Sequence, residues 1–214
     1  MNDAQIRSSL HSKKLRRHHA TPDTLVVDEL GLKHGKFRAD IAVINGHLIG
    51  YEIKSDDDSL HRLAQQVEAY NAVFDRATAV VGGRHLGGVK KLTPWWWGIM
   101  VAMEGQRGAI HFETIRRAAL NPSADDFAVA QLLWRAEAEE ELVKQGFSGR
   151  ILRQKRSVLY REIVHVLGPR ELRNVVRKRL KSRTDWRRPA RLSPSDDLSQ
   201  HIATWGGSPS SPSL

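Results

Sequence analysis

Cysteine is absent from the 214 residues of the sequence. The chain therefore has no disulfide bond and no thiolate ligand for zinc, which suits a cytoplasmic protein. Long hydrophobic runs are also missing, because none approaches the ~20 apolar residues that a membrane-spanning helix needs. The N-terminus lacks the apolar stretch of a signal peptide. We therefore expect a cytoplasmic protein that does not enter a membrane.

Charge is plentiful but unevenly distributed. The net charge is +10, and residues 150–191 contain 15 Lys and Arg against three acidic residues, which leaves −2 for the rest of the chain. A basic block beside a nearly neutral region is typical of a protein with a polyanionic partner, usually a nucleic acid. A solvated helical surface has the same composition, so both interpretations stay open.

Hydrophobic residues make up 40% of the chain, and their periodicity separates a mixed region from a helical one. The predicted elements of the first region are a helix over 3–16, strands over 25–30, 37–44 and 48–54, a helix after the acidic turn 56–59, and strands over 78–81, 96–103 and 109–115. The second region has predicted helices over 125–146, 150–166 and 169–183. We therefore expect an α/β domain at 1–120, a basic helical domain at 121–188 and a disordered tail at 189–214.

Three ionisable residues converge in two adjacent predicted strands. Asp40 lies in strand 37–44, and Glu52 and Lys54 lie two residues apart in strand 48–54, so the latter two share a face. Two close carboxylates favour a hard divalent cation such as Mg²⁺, and a nearby lysine orients or deprotonates an attacking water. These groups suffice to hydrolyse a phosphodiester. A surface ion pair between Lys54 and either acid is the alternative.

The turn between these strands decides whether the two acids share a face. A two-residue turn at Asn45-Gly46 would place Asp40 opposite Tyr51, and Glu52 would then point to the other side of the sheet. A three-residue loop or a one-residue bulge would place Asp40 opposite Glu52 instead. Because one cation needs both acids, we predict the second register.

The chain resembles the PD-(D/E)XK nuclease superfamily over about residues 25–82. The matching pieces are Arg38-Ala39-Asp40, Glu52-Ile53-Lys54 after eleven intervening residues, the upstream acid Glu29, and the Q-x-x-x-Y element of the RecB-type branch at Gln66 and Tyr70. Ala39 stands where the superfamily pattern has proline. More narrowly, the stretch from Val27 to the tryptophans around Trp96 resembles the sce7726 family of uncharacterised bacterial proteins.

This resemblance implies a fold, a cofactor and a reaction. The fold is α/β, a restriction-endonuclease-like mixed sheet flanked by helices, to which this chain adds a basic helical appendage. The cofactor is Mg²⁺, for which Mn²⁺ can substitute, and the reaction is cleavage of DNA. The implied metal ligands are the carboxylates of Asp40 and Glu52, the main-chain carbonyl of Ile53 and, as an accessory acid, Glu29.

The resemblance further implies that Lys54 is the catalytic lysine. Gln66 and Tyr70 would contact nucleic acid or brace the site, since residues four apart lie on one helix face. Tyr70 also falls on the apolar stripe of its helix, so anchoring in the core is an equal alternative. The Trp95–Trp97 run could stack on bases, but strand alternation favours core packing for Trp96 or its neighbours.

Nucleic-acid contacts are expected from cations outside this site. The leading hypothesis is a DNA nuclease, and the alternatives are an RNA-directed nuclease and a DNA-binding protein that keeps the fold without cutting. The expected phosphate-binding residues are Lys13, Lys14, Arg16, Arg17, Arg62, Arg173, Arg177, Lys178, Lys181 and Arg183.

Overall fold

A computed structural model describes residues 1–184; the predicted tail at 189–214 lies outside this range. Its centre is a six-stranded sheet in which spatial neighbours are also neighbours along the chain. The β3–β4 and β4–β5 pairs are parallel, and the other pairs are antiparallel. The strands are β1 (Leu25–Leu32), β2 (Phe37–Ile44), β3 (Leu48–Lys54), β4 (Arg76–Gly82), β5 (Gly98–Glu104) and β6 (Ile110–Arg116).

Helices flank this sheet, which confirms the α/β class with a mixed sheet between helices. None of the helices within residues 1–184 combines the length and apolar character needed to cross a membrane. The helices are α1 (Asp3–Ser9), α2 (Arg16–Ala20), α3 (Leu63–Val73), α4 (Leu86–Leu92), α5 (Asp126–Ala130), α6 (Arg135–Lys144) and α7 (Arg156–Ser182).

The N-terminal helix is interrupted where the sequence predicts continuity over 3–16. A π-helical turn, Leu10–Lys14, separates α1 from α2. Ile6 and Leu10 are four residues apart, but Leu15 follows after five, so an ordinary α-helix would rotate it off the shared face. The wider turn brings all three side chains into the core between this segment and one face of the sheet.

The opposite face of the sheet packs against α3 and the C-terminal helices. Phe74 and Tyr70 pack beside the sheet residues Ala42 and Leu48, and Leu172 of α7 belongs to the same continuous core. Asn121 fixes the junction, because its side-chain amide donates to the carbonyls of Asn71 and Phe74. The domain boundary near residue 120 stays a prediction, although the two parts share one hydrophobic cluster.

Two predicted helices differ from the structure, one in its continuity and the other in how it begins. The helix expected over 125–146 is broken at 131–134, between α5 and α6, and both Leu132 and Leu133 are buried there. The acidic turn 56–59 does not cap α3, since the Asp58 carboxylate accepts hydrogen bonds from the main chain and hydroxyl of Ser55. The helix begins at Leu63 without a side-chain cap.

Candidate active site

The register of the β2–β3 hairpin brings the two acids together. Ile41 pairs with Tyr51 and Ile44 with Leu48, so the loop has three residues, as predicted from the need for a shared cation. Continuing this register places Asp40 opposite Glu52. The Asp40 carboxylate accepts the main-chain N–H of Ile53 at 2.6 Å, which fixes it at the end of the ladder. The register prediction is therefore confirmed.

Glu52 is fully buried, with 0% of its surface exposed. Its Oε1 lies 2.6 Å from the Lys54 ammonium and also accepts a hydrogen bond from the Gln66 side-chain amide. Among the described residues, Glu52 Oε2 and Gln66 Oε1 are buried oxygens without a hydrogen-bond partner. A buried carboxylate oxygen that lacks a partner carries a large desolvation cost, which a cation or an ordered water would relieve.

Tyr70 braces the two strands from the opposite layer. Its ring is completely buried, and its hydroxyl donates to the Tyr51 carbonyl at 3.0 Å and accepts the Asp40 N–H at 3.2 Å. The ring can approach the sheet because position 50 is glycine: a Cβ there would lie 2.9 Å from the Tyr70 ring and 2.7 Å from Phe74. Tyr70 is therefore a core residue whose hydroxyl also joins β2 to β3, and its role in nuclease function stays a prediction.

Burial shifts the titration of both acids upward. It raises the pKa of Asp40 to about 7, and the nearby charge of Glu52 adds to this, against the opposing effects of the Ile53 N–H, Arg7 and Lys54. Burial also raises the pKa of Glu52, although the Lys54 ammonium works in the other direction. Each carboxylate is therefore costly to ionise inside the chain unless a further positive charge is bound nearby.

Arg7 is a site residue that the sequence interpretation missed. Its guanidinium donates to the Asp40 main-chain carbonyl at 2.6 Å and contacts the Asp40 carboxylate at 3.3 Å. The same group lies 3.3 Å from Glu29. The sequence does place Arg7 next to Ile6 in a predicted amphipathic helix. It does not indicate which strands that helix packs against, so the contact between Arg7 and Asp40 could not be predicted.

Glu29 joins the site through Arg7. Its backbone has φ 58 within β1, a left-handed conformation that is uncommon for a residue other than glycine. Its second carboxylate oxygen pairs with Arg38 at 3.1 Å.

Within residues 1–184, no group of three or more His, Cys, Asp or Glu side chains is arranged to hold a metal ion. The structure thus joins Asp40, Glu52, Lys54, Gln66 and Tyr70, with Glu29 linked to Asp40 by an arginine.

Most of the predicted phosphate-binding cations of α7 form ion pairs inside the chain. Arg173 lies 3.4 Å from Asp75 and also pairs with Asp126, and Arg177 lies 3.9 Å from Asp75. Lys181 contacts the Asp23 carboxylate at 2.7 Å.

Arg183 is buried and donates to both Glu137 oxygens and to the Leu132 carbonyl. Lys178 is exposed and has no side-chain partner among the described residues. Of the five predicted cations between positions 173 and 183, four are thus engaged, and Lys178 has no side-chain partner among the described residues.

The remaining predicted cations are accessible. Lys13 is exposed but donates to the Ile110 carbonyl. Lys14, Arg16 and Arg17 are exposed, and so is Arg62 at the start of α3. Arg62 precedes Gln66 by four residues, so it lies one turn away on the helix face that carries Gln66.

The comparisons with known proteins point to a phage family. The family described as "Bacteriophage P4 protein cII" matches residues 1–194. Protein cII of Enterobacteria phage P4 is 26% identical over 156 residues, which cover 73% of this chain and 56% of that protein. The chain thus spans little more than half the length of this relative.

Among solved structures, the SPO1766 protein of unknown function from Silicibacter pomeroyi matches with a TM-score of 0.43 and 18% identity. The match covers 70% of this chain and 97% of that one. Since the family match extends over most of the sequence, the chain belongs to the bacteriophage P4 protein cII family.

Proposed function

We propose that this chain is a metal-dependent nuclease with a PD-(D/E)XK core that hydrolyses phosphodiester bonds of DNA. One observation carries the proposal: Asp40, Glu52 and Lys54 meet at the end of one hairpin, where Glu52 is buried and has an unpartnered oxygen. A surface ion pair, the alternative interpretation of these residues, would leave both carboxylate oxygens in water. The resemblance to the nuclease superfamily and to the sce7726 family supports the same function.

The donor set fits a hard divalent cation. The buried Glu52 and the partly buried Asp40 both have raised pKa values, and Glu52 Oε2 has no hydrogen-bond partner among the described residues. Mg²⁺ or Mn²⁺ would be held by Asp40, Glu52 and the Ile53 carbonyl, where it would neutralise the carboxylates and acidify a bound water. Glu29 would act as an accessory ligand only after releasing Arg7.

The side chains of the chain itself have separable roles in this proposal. Lys54, held by Glu52, would orient the attacking water and stabilise negative charge on the phosphate. Gln66 holds the Glu52 carboxylate in one orientation through its amide. Tyr70 keeps β2 and β3 at a fixed spacing, so that Asp40 and Glu52 stay side by side.

A nucleic-acid-binding protein that does not cut is the second candidate. It is favoured by the way that Arg7 and Lys54 already neutralise Asp40 and Glu52 within the chain. In that case the site would be an internal ion-pair network that stabilises the fold. Hydrolysis of a phosphodiester needs the same groups in DNA and in RNA. The experiment below therefore also tests whether the chain is an RNA-directed nuclease.

The test is a cleavage panel with the full chain. Labelled single- and double-stranded DNA and RNA are incubated with Mg²⁺, Mn²⁺ or EDTA. We expect metal-dependent cleavage of DNA, and Lys54→Ala should lower its rate by at least about 100-fold, in line with the loss of a catalytic acid or base. Lys90→Ala removes an exposed lysine of α4 and is the matched control.

Three results would decide against the DNA nuclease. Full activity of Lys54→Ala would contradict the site assignment. Binding without cleavage in every metal would establish the second candidate instead. Cleavage of RNA alone would identify RNA, not DNA, as the substrate, and the assignment of the site residues would stand.

A further inference from the structure

A cavity of about 440 Å³ lies between the β1–β2 turn and the C-terminal helices. Its lining includes Leu30 of β1, the segment 131–134 between α5 and α6 with Arg135 at the start of α6, and residues of α7. Its volume falls within the ~300–1,000 Å³ of small-molecule sites. None of the residues of the candidate active site lines it, so it is a separate feature of the fold.

Planar side chains line this cavity from three different parts of the chain. Trp134 remains 53% exposed, although the Arg183 guanidinium lies over its ring at 4.2 Å. Elsewhere in the lining, the His34 ring stacks on Tyr160 with a centroid distance of 5.7 Å and an angle of 25° between the rings. Exposed aromatic surface held in place by neighbours is the kind of surface on which flat rings stack.

The turn that carries His34 has an unusual backbone. Lys33, His34 and Gly35 have φ values of 47, 58 and 85, so three successive residues adopt the left-handed region. Two of them are not glycine, and such conformations persist where the surrounding structure fixes them, often at binding sites. Here the turn holds an exposed imidazole ring against Tyr160 at the edge of the cavity.

Three arginines line the cavity, and they differ in whether they form ion pairs. Arg135 and Arg183 line it, but the first pairs with Glu139 and the second with Glu137. Arg156 also lines the cavity, is exposed, and has no side-chain ion pair or hydrogen bond among residues 1–184. A single unneutralised guanidinium beside flat rings matches a ligand that joins an aromatic ring to a phosphate.

We propose that this cavity binds one nucleotide, with its base against Trp134 and His34 and its phosphate on Arg156. A free nucleotide and one unit of a nucleic-acid strand share this chemistry, so both are sources of the ligand. The inference goes beyond the proposed nuclease and does not depend on cleavage, since no residue of the acidic site takes part.

Calorimetric titration of the full chain in EDTA tests the proposal without cleavage. The probes are AMP, adenosine, inorganic phosphate and a short single-stranded oligonucleotide. We expect Arg156→Gln and Trp134→Leu to weaken nucleotide binding by about tenfold each, the size of one stacking or charged contact. Arg170→Gln and Trp95→Leu alter an exposed arginine and an exposed tryptophan outside the cavity, and they should bind as the wild type does.

The outcomes separate the sources of the ligand. Equal affinity for AMP and the oligonucleotide assigns the cavity to a free nucleotide, and binding of the oligonucleotide alone assigns it to a strand, provided that the cavity variants weaken it. Arg156→Gln should keep the wild-type melting temperature, because that side chain has no partner to lose. Wild-type affinity in Arg156→Gln, competition by phosphate as strong as by AMP, or no binding of either nucleotide probe would overturn the proposal.

Discussion

At the scale of single residues, the pair Asp40 and Glu52 links stability to pH. Burial raises the pKa of Asp40 to about 7 in the folded chain, whereas an unfolded aspartate has a pKa of about 3.9. The folded state therefore binds more protons across this window, so the stability contribution is fully present below about pH 4 and is lost as pH rises towards about 7. Bound cation would reverse that loss, because it favours the ionised carboxylates.

The first prediction follows for Asp40→Asn, which removes this titration. Between pH 4.5 and pH 7.5 in EDTA, we expect the wild type to lose on the order of 2 kcal/mol of unfolding free energy relative to the variant. Urea denaturation at the two pH values measures the difference. Adding Mg²⁺ at the higher pH should restore the wild type and leave the variant unchanged. A pH-independent difference between the proteins would contradict the assignment.

Arg7 gives the second prediction at this scale. Arg7→Gln removes the cation that contacts Asp40 and Glu29, so we expect the metal-free chain to lose about 1–3 kcal/mol of stability. The same change removes a charge that repels Mg²⁺, so the metal concentration for half-maximal thermal stabilisation should fall. Arg38→Gln is the control, because Arg38 is 65% exposed and pairs with Glu29 without contacting Asp40. Equal effects of both substitutions would refute a specific role for Arg7.

Residues near one another in sequence were predictable, and those far apart were not. Asp40, Glu52 and Lys54 fall on adjacent strands joined by a short loop, so strand alternation and the demand for a shared face fix their arrangement. Arg7 reaches Asp40 across 33 positions of the chain. Such a contact depends on how α1 packs across the sheet, which local periodicity does not encode.

At the scale of elements, alternation predicted β2 and β3 with the bounds that the structure has, because each strand alternates between two packed layers. The N-terminal and C-terminal helices were predicted less well. Continuous helical spacing predicts one helix over 125–146, but tertiary packing buries both Leu132 and Leu133 by breaking it. The break predicted between helices 150–166 and 169–183 corresponds to an interruption within α7, where Gly168 has φ 68 just before Pro169.

The ion pairs of α7 lead to the third prediction. Arg173 joins α7 to Asp75, between α3 and β4, and to Asp126 of α5, with little of its side chain exposed. Arg173→Gln should therefore lower the unfolding free energy by about 1–3 kcal/mol. Lys178→Gln should leave stability almost unchanged, since this exposed lysine has no side-chain partner among the described residues. Urea denaturation of the two variants, which lose the same charge on one helix, makes the comparison; equal stabilities would contradict a structural role for Arg173.

Deletion of the basic helices is a poor test of nucleic-acid binding for the same reason. Leu172, Val176 and Leu180 belong to the core that covers the sheet, so truncation would expose apolar surface and change the fold. Substitution of unpaired cations keeps the core intact. It also separates cations that stabilise the chain from those that are free to contact phosphate.

At the scale of the whole molecule, the excess positive charge is less available than the net charge suggests. Ion pairs occupy Arg173, Arg177, Lys181 and Arg183. Among the cations that are exposed and lack a side-chain partner within residues 1–184, two groups are close together in sequence, one at the start of α2 and one around the start of α7. The first group is Lys14, Arg16 and Arg17, and the second is Arg150, Arg153, Lys155 and Arg156.

The last prediction concerns the salt dependence of nucleic-acid binding. Each phosphate contact releases counterions, so the slope of log affinity against log salt counts contacts at about 0.9 per phosphate for duplex DNA. Replacing Lys14, Arg16 and Arg17 with glutamine should reduce the slope by about 2–3 if all three contact phosphate. The double variant of Lys90 and Lys91, two exposed lysines at the end of α4, should keep the wild-type slope. Fluorescence anisotropy over a salt series in EDTA gives both slopes without cleavage. An unchanged slope in the triple variant would exclude Lys14, Arg16 and Arg17 from the phosphate-binding surface.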